Sequence, residues 1–536
     1  MADLCGEEVL FGSRCVTCFK DRPADLMAMF QEAVSQNPDG EALVAGLVRL
    51  TYKDLDHRTA ELATGFASFG LSKGDRIAIL IGNRAEFLVT LLATIRIGAI
   101  AVPINIREQT PELSYILNHC GARCLIFDAF VKDRLPLAAD LPKLDFYYCT
   151  DGAFGSVHDF NTLFFKAQPP DVWINEEETA VILYTSGTTG RPKGAMLTHV
   201  NIVHSALHFV HSMELGPKDR SIVAVPSSHV TGLVANLFTM IAAHGCSIFL
   251  RAFQAQDFLI LADRERMTHT LIVPAMYNLC FLRADFADYD LSDWRIGGYG
   301  GAPMPEATIS RLAEALPGLI LVNAYGSTEV TSPATIMPLG DGTRHSDSVG
   351  KCVPCGHIRI VDDAGNDVPV GTAGEFWIAG PMVVPGYWED DEKTREGFHE
   401  GYWKSGDIGS CDAEGFYYLH DRKKDMVIRG GYNIYTAELE NVIADLPDVI
   451  ECAVVGREDK VLGEKTHVFI YGSDTLSRDA VRNHCAKHLA DYKVPDFITF
   501  LTAPLPRNAN GKVLKAQLRQ LAMAEPASER IGTSPT

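Results

Sequence analysis

At 536 residues the chain is too long for one ordinary hydrophobic core, so at least two domains are expected. Hydrophobic residues at 47% and charged residues at 22% exclude a disordered, collagenous or fibrous chain. With 48 basic against 68 acidic side chains the formal charge is −20, which argues against a nucleic-acid or anionic-membrane binder, because attraction to phosphate needs a basic surface.

The start, Met1 to Glu8, is acidic and lacks the basic stretch and apolar core of a secretory leader. Leu55, Leu62, Phe66 and Phe69 then fall on one helical face, Arg76 to Ile81 reads as a buried strand, and Glu86 to Ile97 reads as a helix. The most apolar run, Phe87 to Val102, is broken by Arg96 and Gly98 and stopped by Pro103, short of the ~20 residues a spanning helix needs. Further strands are expected at Ala99 to Val102, Cys124 to Phe127, Ala180 to Tyr184, Ile222 to Val225, Thr270 to Val273 and Leu319 to Val322. Strands alternating with helical patterns point to an α/β architecture with parallel strands.

After about residue 350 the texture changes. Ile358 to Val361, Gly374 to Ile378 and Gly415 to Leu419, set between Asp, Gly and Pro turns, read as a small antiparallel, barrel-like sheet. The charged stretch Asp421 to Asp425 follows. Beyond it Thr436 is expected to cap a helix whose apolar face is Leu439, Val442, Ile443 and Leu446. Strands at Glu451 to Val455 and Val468 to Tyr471 and a helix around Ala480 to Leu489 complete a small α+β module, and the polar tail from about Glu525 is expected to be disordered.

The 13 cysteines are odd in number and mostly scattered, which suits reduced thiols in a soluble cytoplasmic protein. Cys15-x2-Cys18 and Cys352-x2-Cys355 have the form of zinc half-sites, but most of the chain separates them. His204, His208 and His211 share a helical face, and with Ile202, Val203, Leu207 and Phe209 beside them they read as a packed helix, not as ligands.

The strand ending at Tyr184 runs into Thr185-Ser-Gly-Thr-Thr-Gly-Arg-Pro-Lys-Gly194, and a helical pattern begins near Thr198. Glycines let backbone approach an anion, hydroxyls donate to phosphate oxygens and Lys193 adds charge, so the loop suits a polyphosphate. It lacks the Gly-x4-Gly-Lys-[Ser/Thr] spacing of a Walker A motif.

The string Tyr184 to Gly194 resembles the phosphate loop of the adenylate-forming superfamily: acyl-CoA synthetases, peptide-synthetase adenylation domains and beetle luciferases. Pro226 to Leu233, Gly300-Gly-Ala-Pro303, Tyr325-Gly-Ser-Thr-Glu329, Tyr402 to Asp407, Asp421 to Ile434 and Pro506 to Lys512 match further motifs in the family's order, from about residue 25 to about 520. The resemblance implies a large N-terminal domain over 1–423 and a small mobile C-terminal domain over 424–536, with a hinge at Lys424.

It also implies an enzyme, an acid–thiol ligase that joins a carboxylic acid to ATP, releasing pyrophosphate, and passes the acyl group from AMP to coenzyme A. The cofactors implied are ATP, Mg2+ and coenzyme A. Carried over by motif, Lys512 is the adenylation lysine, Thr328 binds the α-phosphate, Glu329 holds Mg2+ with Thr188, and His229 gates the carboxylate pocket. Thr185, Ser186, Gly187, Thr188, Thr189, Gly190 and Lys193 cradle phosphates, and Gly301, Ala302, Pro303 and Tyr325 frame the nucleotide, Tyr325 offering its ring to adenine. Asp407 and Arg422 meet the ribose, and Gly430 and Gly431 leave room for a thiol channel.

The acyl pocket is expected along His229, Thr231, Gly232, Gly298, Gly300 and Gly301. Hydroxycinnamate ligases of the superfamily carry Tyr and Lys where this chain has Thr231 and Gly298, and only Arg295 is cationic in these stretches, which disfavours a dicarboxylate. The glycines suit an apolar tunnel. A medium- or long-chain fatty acid is the first reading; an aryl or cinnamate-like acid, or a stand-alone enzyme loading a carrier protein, is the alternative. The partners are then small molecules, with no nucleic acid and no integral membrane segment, and a homodimer is compatible with the reading.

Overall fold

The computed structural model describes residues 4–185, 191–302, 304–473, 475–507 and 512–524; the tail from Glu525 lies outside them. The chain divides into two compact units. One comprises Met1–Arg359, Trp377–Lys404 and Ala413–Tyr417, and the other Ile360–Phe376, Ser405–Asp412 and Tyr418–Thr536.

Two parallel-rich sheets build the first unit. The seven-stranded sheet is ordered Lys193–Thr198, Thr179–Thr185, Ile100–Pro103, Arg76–Leu80, Cys124–Phe127, Phe146–Cys149, His158–Asp159, parallel except at its first pair. The nine-stranded sheet is ordered Lys351–Cys352, Thr335–Ile336, Ile320–Tyr325, Ile296–Tyr299, His269–Ile272, Arg220–Val223, Cys246–Phe249, Glu41–Ala45, Val48–Thr51, with its inner strands parallel. Parallel strands are covered on both faces, which is why most of these segments read as unbroken apolar runs instead of alternating.

One hydrophobic cluster joins the sheets. It takes Ile77 and Ile79 from the first, Leu43 and Val223 from the second, and Leu62, Leu91, Leu92, Ile202 and Ala206 from helices. The helix Ala85–Arg96 is buried without a break from Phe87 to Ile95. A helix apolar on every side cannot face water, so its sequence alone commits it to an interior layer. Capping boxes set where two others begin: Thr51 with Asp54 before Tyr52–Ser68, and Thr198 with Asn201 before His199–Met213.

An N-terminal hairpin, Cys5–Leu10 with Arg14–Phe19, had no counterpart in the sequence reading. Its Phe19 N–H donates to His204 Nε2 at 3.2 Å, and its Arg14 guanidinium donates to the carbonyls of Val383, Val384 and Pro385 at 3.0–3.2 Å. Of the half-site cysteines, Cys355 meets Cys5, their sulfurs 3.8 Å apart.

A five-stranded antiparallel sheet is ordered His357–Val361, Gly374–Ala379, Tyr402–Cys411, Phe398–His399, with Tyr417–Arg422 pairing to Tyr402–Cys411. The second unit carries a sheet ordered Tyr432–Ile434, Val427–Arg429, Gly463–Gly472, Val449–Asp459, to which Phe497–Leu501 adds in parallel. Val454, Val468 and Ile470 pack under the helices Thr436–Ala444 and Arg478–His488, while Ala453, Val455 and Phe469 point to the other face and meet Leu518 and Ala522 of Lys515–Ala524. The alternation of period two along Ala453 to Val455 is what lets one strand serve both layers.

Thr436 is not the cap expected. It is the first helical residue, and its N–H is taken by the carboxylate of Asp421, which does the capping from outside the local sequence. No helix among the described residues is long and apolar enough to cross a membrane.

Candidate active site

Strands Arg220–Val223, His269–Ile272, Ile296–Tyr299 and Ile320–Tyr325 are parallel neighbours, so the loops at their carboxyl ends emerge along one edge of the sheet. In open α/β sheets that edge is where ligands bind. The segments 226–231, 300–302 and 326–329 all lie there. Sequence motifs far apart in the chain are thereby brought to one place.

The first of these loops is pinned by a residue the sequence reading missed. Asn83 is 8% exposed; its Oδ1 accepts from both the N–H and the hydroxyl of Ser227, and its Nδ2 donates to the carbonyls of Val223, Val225 and Leu250. Within the loop the Thr231 N–H donates to His229 Nδ1 at 3.3 Å, and Thr231 Oγ1 lies 3.1 Å from the same nitrogen. A neutral ring whose Nδ1 accepts carries its proton on Nε2, the tautomer able to donate to a carboxylate. The chain continues as a π-helix over Thr231–Phe238. A Cβ at Gly232 would lie 2.3 Å from the Pro226 carbonyl oxygen, so only glycine fits.

The glycines of the second loop are taken up by packing. A Cβ at Gly298 would sit 3.0 Å from the Thr270 carbonyl and 3.1 Å from Leu271, and one at Gly300 would sit 2.4 Å from the Ala324 carbonyl. Gly301, at φ +77°, has open space apart from Val273 at 3.9 Å. Close approach of neighbouring strands accounts for glycine at both 298 and 300. Arg295 is committed as well, pairing with Asp219 at 2.8 Å and donating to the carbonyls of Met213 and Glu214.

The third loop carries Tyr325, Thr328 and Glu329. Thr328 is buried, and the next residues are strained: Thr331 and Ser332 hold φ of +52° and +40°, a region that side-chain-bearing residues rarely enter. The hydroxyls of Ser327 and Thr331 are buried and make no hydrogen bond among the described residues, which leaves donors and acceptors on either side of Thr328 and Glu329. Glu329 Oε1 accepts from the Tyr387 hydroxyl at 2.9 Å, and its Oε2 makes no hydrogen bond among the described residues. One available carboxylate oxygen fits a Mg2+ ion held chiefly by substrate phosphates, because Mg2+ keeps few protein ligands.

The phosphate loop joins the two antiparallel strands of the seven-stranded sheet, with Thr185 opposite Lys193 in the ladder. The sequence reading carried this loop straight to the helix; the strand Lys193–Thr198 intervenes. Ser186, Gly187, Thr188, Thr189 and Gly190 lie outside the described residues, as does Pro303.

The second unit gathers its own charged set. Asp407 is 2% exposed and pairs with Arg422 Nε at 3.1 Å. Lys512 is exposed in part, yet desolvation first, then Arg422 and Lys424, bring its ammonium down to about 8. Arg519 donates to the Lys424 carbonyl at 2.9 Å and to Asp425 at 2.6 Å. Gly430 and Gly431 hold φ of +59° and +89°, and a Cβ at Gly431 would meet nothing within 4 Å.

Comparison with known proteins gives this arrangement its context. The profile of the AMP-binding enzymes matches residues 30–388, and that of the AMP-binding enzyme C-terminal domain matches residues 438–512. The chain is 33% identical over 486 residues to a feruloyl-CoA synthase of Amycolatopsis, covering 90% of this chain and 96% of that protein. It is 34% identical over 480 residues to a long-chain-fatty-acid–CoA ligase of Mycobacterium tuberculosis, covering 88% and 93%. The o-succinylbenzoate–CoA synthetase of Bacillus subtilis, solved in complex with ATP and magnesium ion, superposes with a TM-score of 0.81 at 28% identity, over 91% of this chain and 98% of that one.

Proposed function

The chain belongs to the AMP-binding enzyme family and is an AMP-forming acyl-CoA ligase, and from that premise we propose that its acid is a monocarboxylate with an apolar acyl group, a medium- or long-chain fatty acid first. The observation that carries this reading is the commitment of Arg295, the one cation in the expected pocket stretches, to Asp219 and to two backbone carbonyls. A second carboxylate in the pocket would find no other Lys or Arg in those stretches and would be costly to desolvate. The buried residues Leu233, Val234, Ala235, Leu237 and Phe238 after Thr231 supply apolar surface next to the loop. An aryl or cinnamate-like acid is the alternative, supported by the similarity to the feruloyl enzyme.

In the first half-reaction a carboxylate oxygen forms a bond to the α-phosphorus of ATP and the bond to pyrophosphate breaks. In the second a thiol sulfur bonds the acyl carbon, AMP leaves, and the thiol proton is released. Mg2+, when bound, offsets phosphate charge, and Glu329 with Thr188 is the assigned holder. Lys512 is assigned to the first step, where charge gathers between carboxylate and phosphate. Thr328 donates to the α-phosphate, His229 Nε2–H faces the acid, and Asp407 and Arg422 meet the ribose hydroxyls. Lys424 is assigned as the hinge that lets Lys512 serve one step and Gly430 and Gly431 the other.

The test is to incubate the protein with ATP, Mg2+, CoA and one acid at a time, and to identify acyl-CoA and AMP by mass. Saturated monocarboxylates should be turned over best and dicarboxylates poorly. A dicarboxylate as the best substrate would overturn the reading.

A further inference from the structure

Tyr387 stands between two groups assigned above to metal and to phosphate, Glu329 and Lys193. It is 5% exposed, its hydroxyl donates to Glu329 Oε1 at 2.9 Å, and Lys193 Nζ lies over its ring, 4.9 Å from the centroid. Neither contact is accidental to the backbone. The segment 384–388 is stitched on one side to Glu329, whose carbonyl accepts from the Val384 N–H at 3.0 Å. On the other side it is stitched to the strand that begins at Lys193: Met196 N–H donates to the Gly386 carbonyl at 3.1 Å and Trp388 N–H to the Gly194 carbonyl at 2.7 Å. The Tyr387 N–H donates to Thr394 Oγ1 at 2.9 Å, and Phe398 meets the ring edge-on, so the phenol has no freedom to swing away.

We propose that Tyr387 is a positioning residue for metal and phosphate together: its hydroxyl fixes the Glu329 carboxylate so that Oε2 is presented to Mg2+, while its ring face sets the Lys193 ammonium at the mouth of the phosphate loop. The proposal rests on the assignment of Glu329 to Mg2+ and of Lys193 to phosphate. The phenol O–H is the donor and the Glu329 carboxylate the acceptor of that bond, since an ionised carboxylate can only accept. A carboxylate held by one oxygen loses less freedom on meeting a metal with the other, and the partners that orient a metal ligand influence affinity strongly. A lysine over an aromatic face is attracted to it without giving up its hydrogen-bond donors, which stay available to phosphate.

The test uses the full chain with ATP and Mn2+ in place of Mg2+, reading bound Mn2+ by electron paramagnetic resonance, alongside the Mg2+ dependence of ATP–pyrophosphate exchange. Tyr387→Phe should weaken Mn2+ retention in the ATP complex by about tenfold and raise the Mg2+ concentration for half-maximal exchange in parallel, with the KM for the acid unmoved. Tyr387→Leu, which also removes the ring, should in addition raise the KM for ATP. Glu329→Gln is the reference. If it weakens Mn2+ retention while Tyr387→Phe, folded by thermal transition, does not, the positioning role is overturned and the Glu329 assignment stands. If Glu329→Gln itself leaves Mn2+ retention unchanged, both are overturned. Should Tyr387→Phe fail to fold, Tyr387→Leu, which also lacks a donor, is read in the same assay, and unchanged Mn2+ retention in it overturns the proposal.

Discussion

Arg295 grips Asp219 through two parallel donors, Nε to Oδ1 at 3.1 Å and Nη2 to Oδ2 at 2.8 Å. Asp219 also accepts from the Thr268 hydroxyl at 2.6 Å and the Gly216 N–H at 2.8 Å; desolvation raises its carboxyl, and Arg295 with these two donors outweighs that and holds it below the usual range. The pair ties the strand Arg220–Val223 to the start of Ile296–Tyr299 and belongs to the framework of the sheet.

Arg295→Leu is therefore expected to lower stability by about 1–3 kcal/mol, because a mostly buried carboxylate loses its cation while part of the pair is solvent-exposed. The ranking of acids by kcat/KM should stay the same. Denaturant melts and the acid panel check the two halves; a changed ranking would place Arg295 in the acyl pocket.

For Lys512 the expectation is a pH profile. Its ammonium titrates near 8, so the positive charge is present below that value and lost as pH rises through it. Acyl-adenylate formation should fall on the alkaline side from about pH 8, and Lys512→Arg should push that limb upward. Lys512→Ala should lose adenylate formation while retaining thioester formation from synthetic acyl-AMP. Equal loss of both steps removes the assignment.

Lys424→Pro should show the opposite pattern, keeping ATP–pyrophosphate exchange and losing transfer to CoA. The Lys424 N–H makes no hydrogen bond among the described residues, so proline there removes no ladder contact. What it removes is rotation, by fixing φ near −65°. Normal thioester production by this variant would move the hinge elsewhere.

How much of this was legible beforehand depends on the range of the interaction responsible. Cys124–Phe127 was read to the residue because a covered parallel strand writes itself as an apolar run. The motifs carrying Glu329, Asp407 and Lys512 were legible because each is a compact string. Tyr387 and Asn83 were not, since each acts through partners 58 and 144 residues distant in the chain. Asp421 as the cap of Thr436 was hidden for the same reason, whereas Thr51 and Thr198, whose partners lie three residues on, were open to local reading. At Gly298 and Gly300 the reason for glycine is likewise non-local, since the backbone and side chains that an added Cβ would meet come from neighbouring strands.

His208 predicts an acid weakness. Its ring is fully buried beside Phe19, His204 and His211, and neither nitrogen finds a partner among the described residues. Burial holds its pKa well below 6.5, and that of His204 at about 4. The unfolded chain therefore takes up protons first: stability is intact above about 6.5 and lost as pH falls toward the folded values, at about 1.4 kcal/mol per pH unit for each such ring. His208→Leu should flatten that slope between pH 6.5 and 5 in thermal melts. An unchanged slope would show that His208 is protonated without unfolding.

The contact of Arg14 with Val383, Val384 and Pro385 has a temporal side. Its partners lie 369 to 371 residues later in the chain. At ~5–20 residues per second a nascent hairpin would wait roughly 20–70 s before the carbonyls it binds leave the ribosome. Until then the guanidinium has no carbonyls to meet, and the segment carrying Tyr387 cannot close against it. A hairpin made early thus waits for a partner made hundreds of residues later, and a ribosome-stalled fragment ending before residue 383 should leave its strands open to protease.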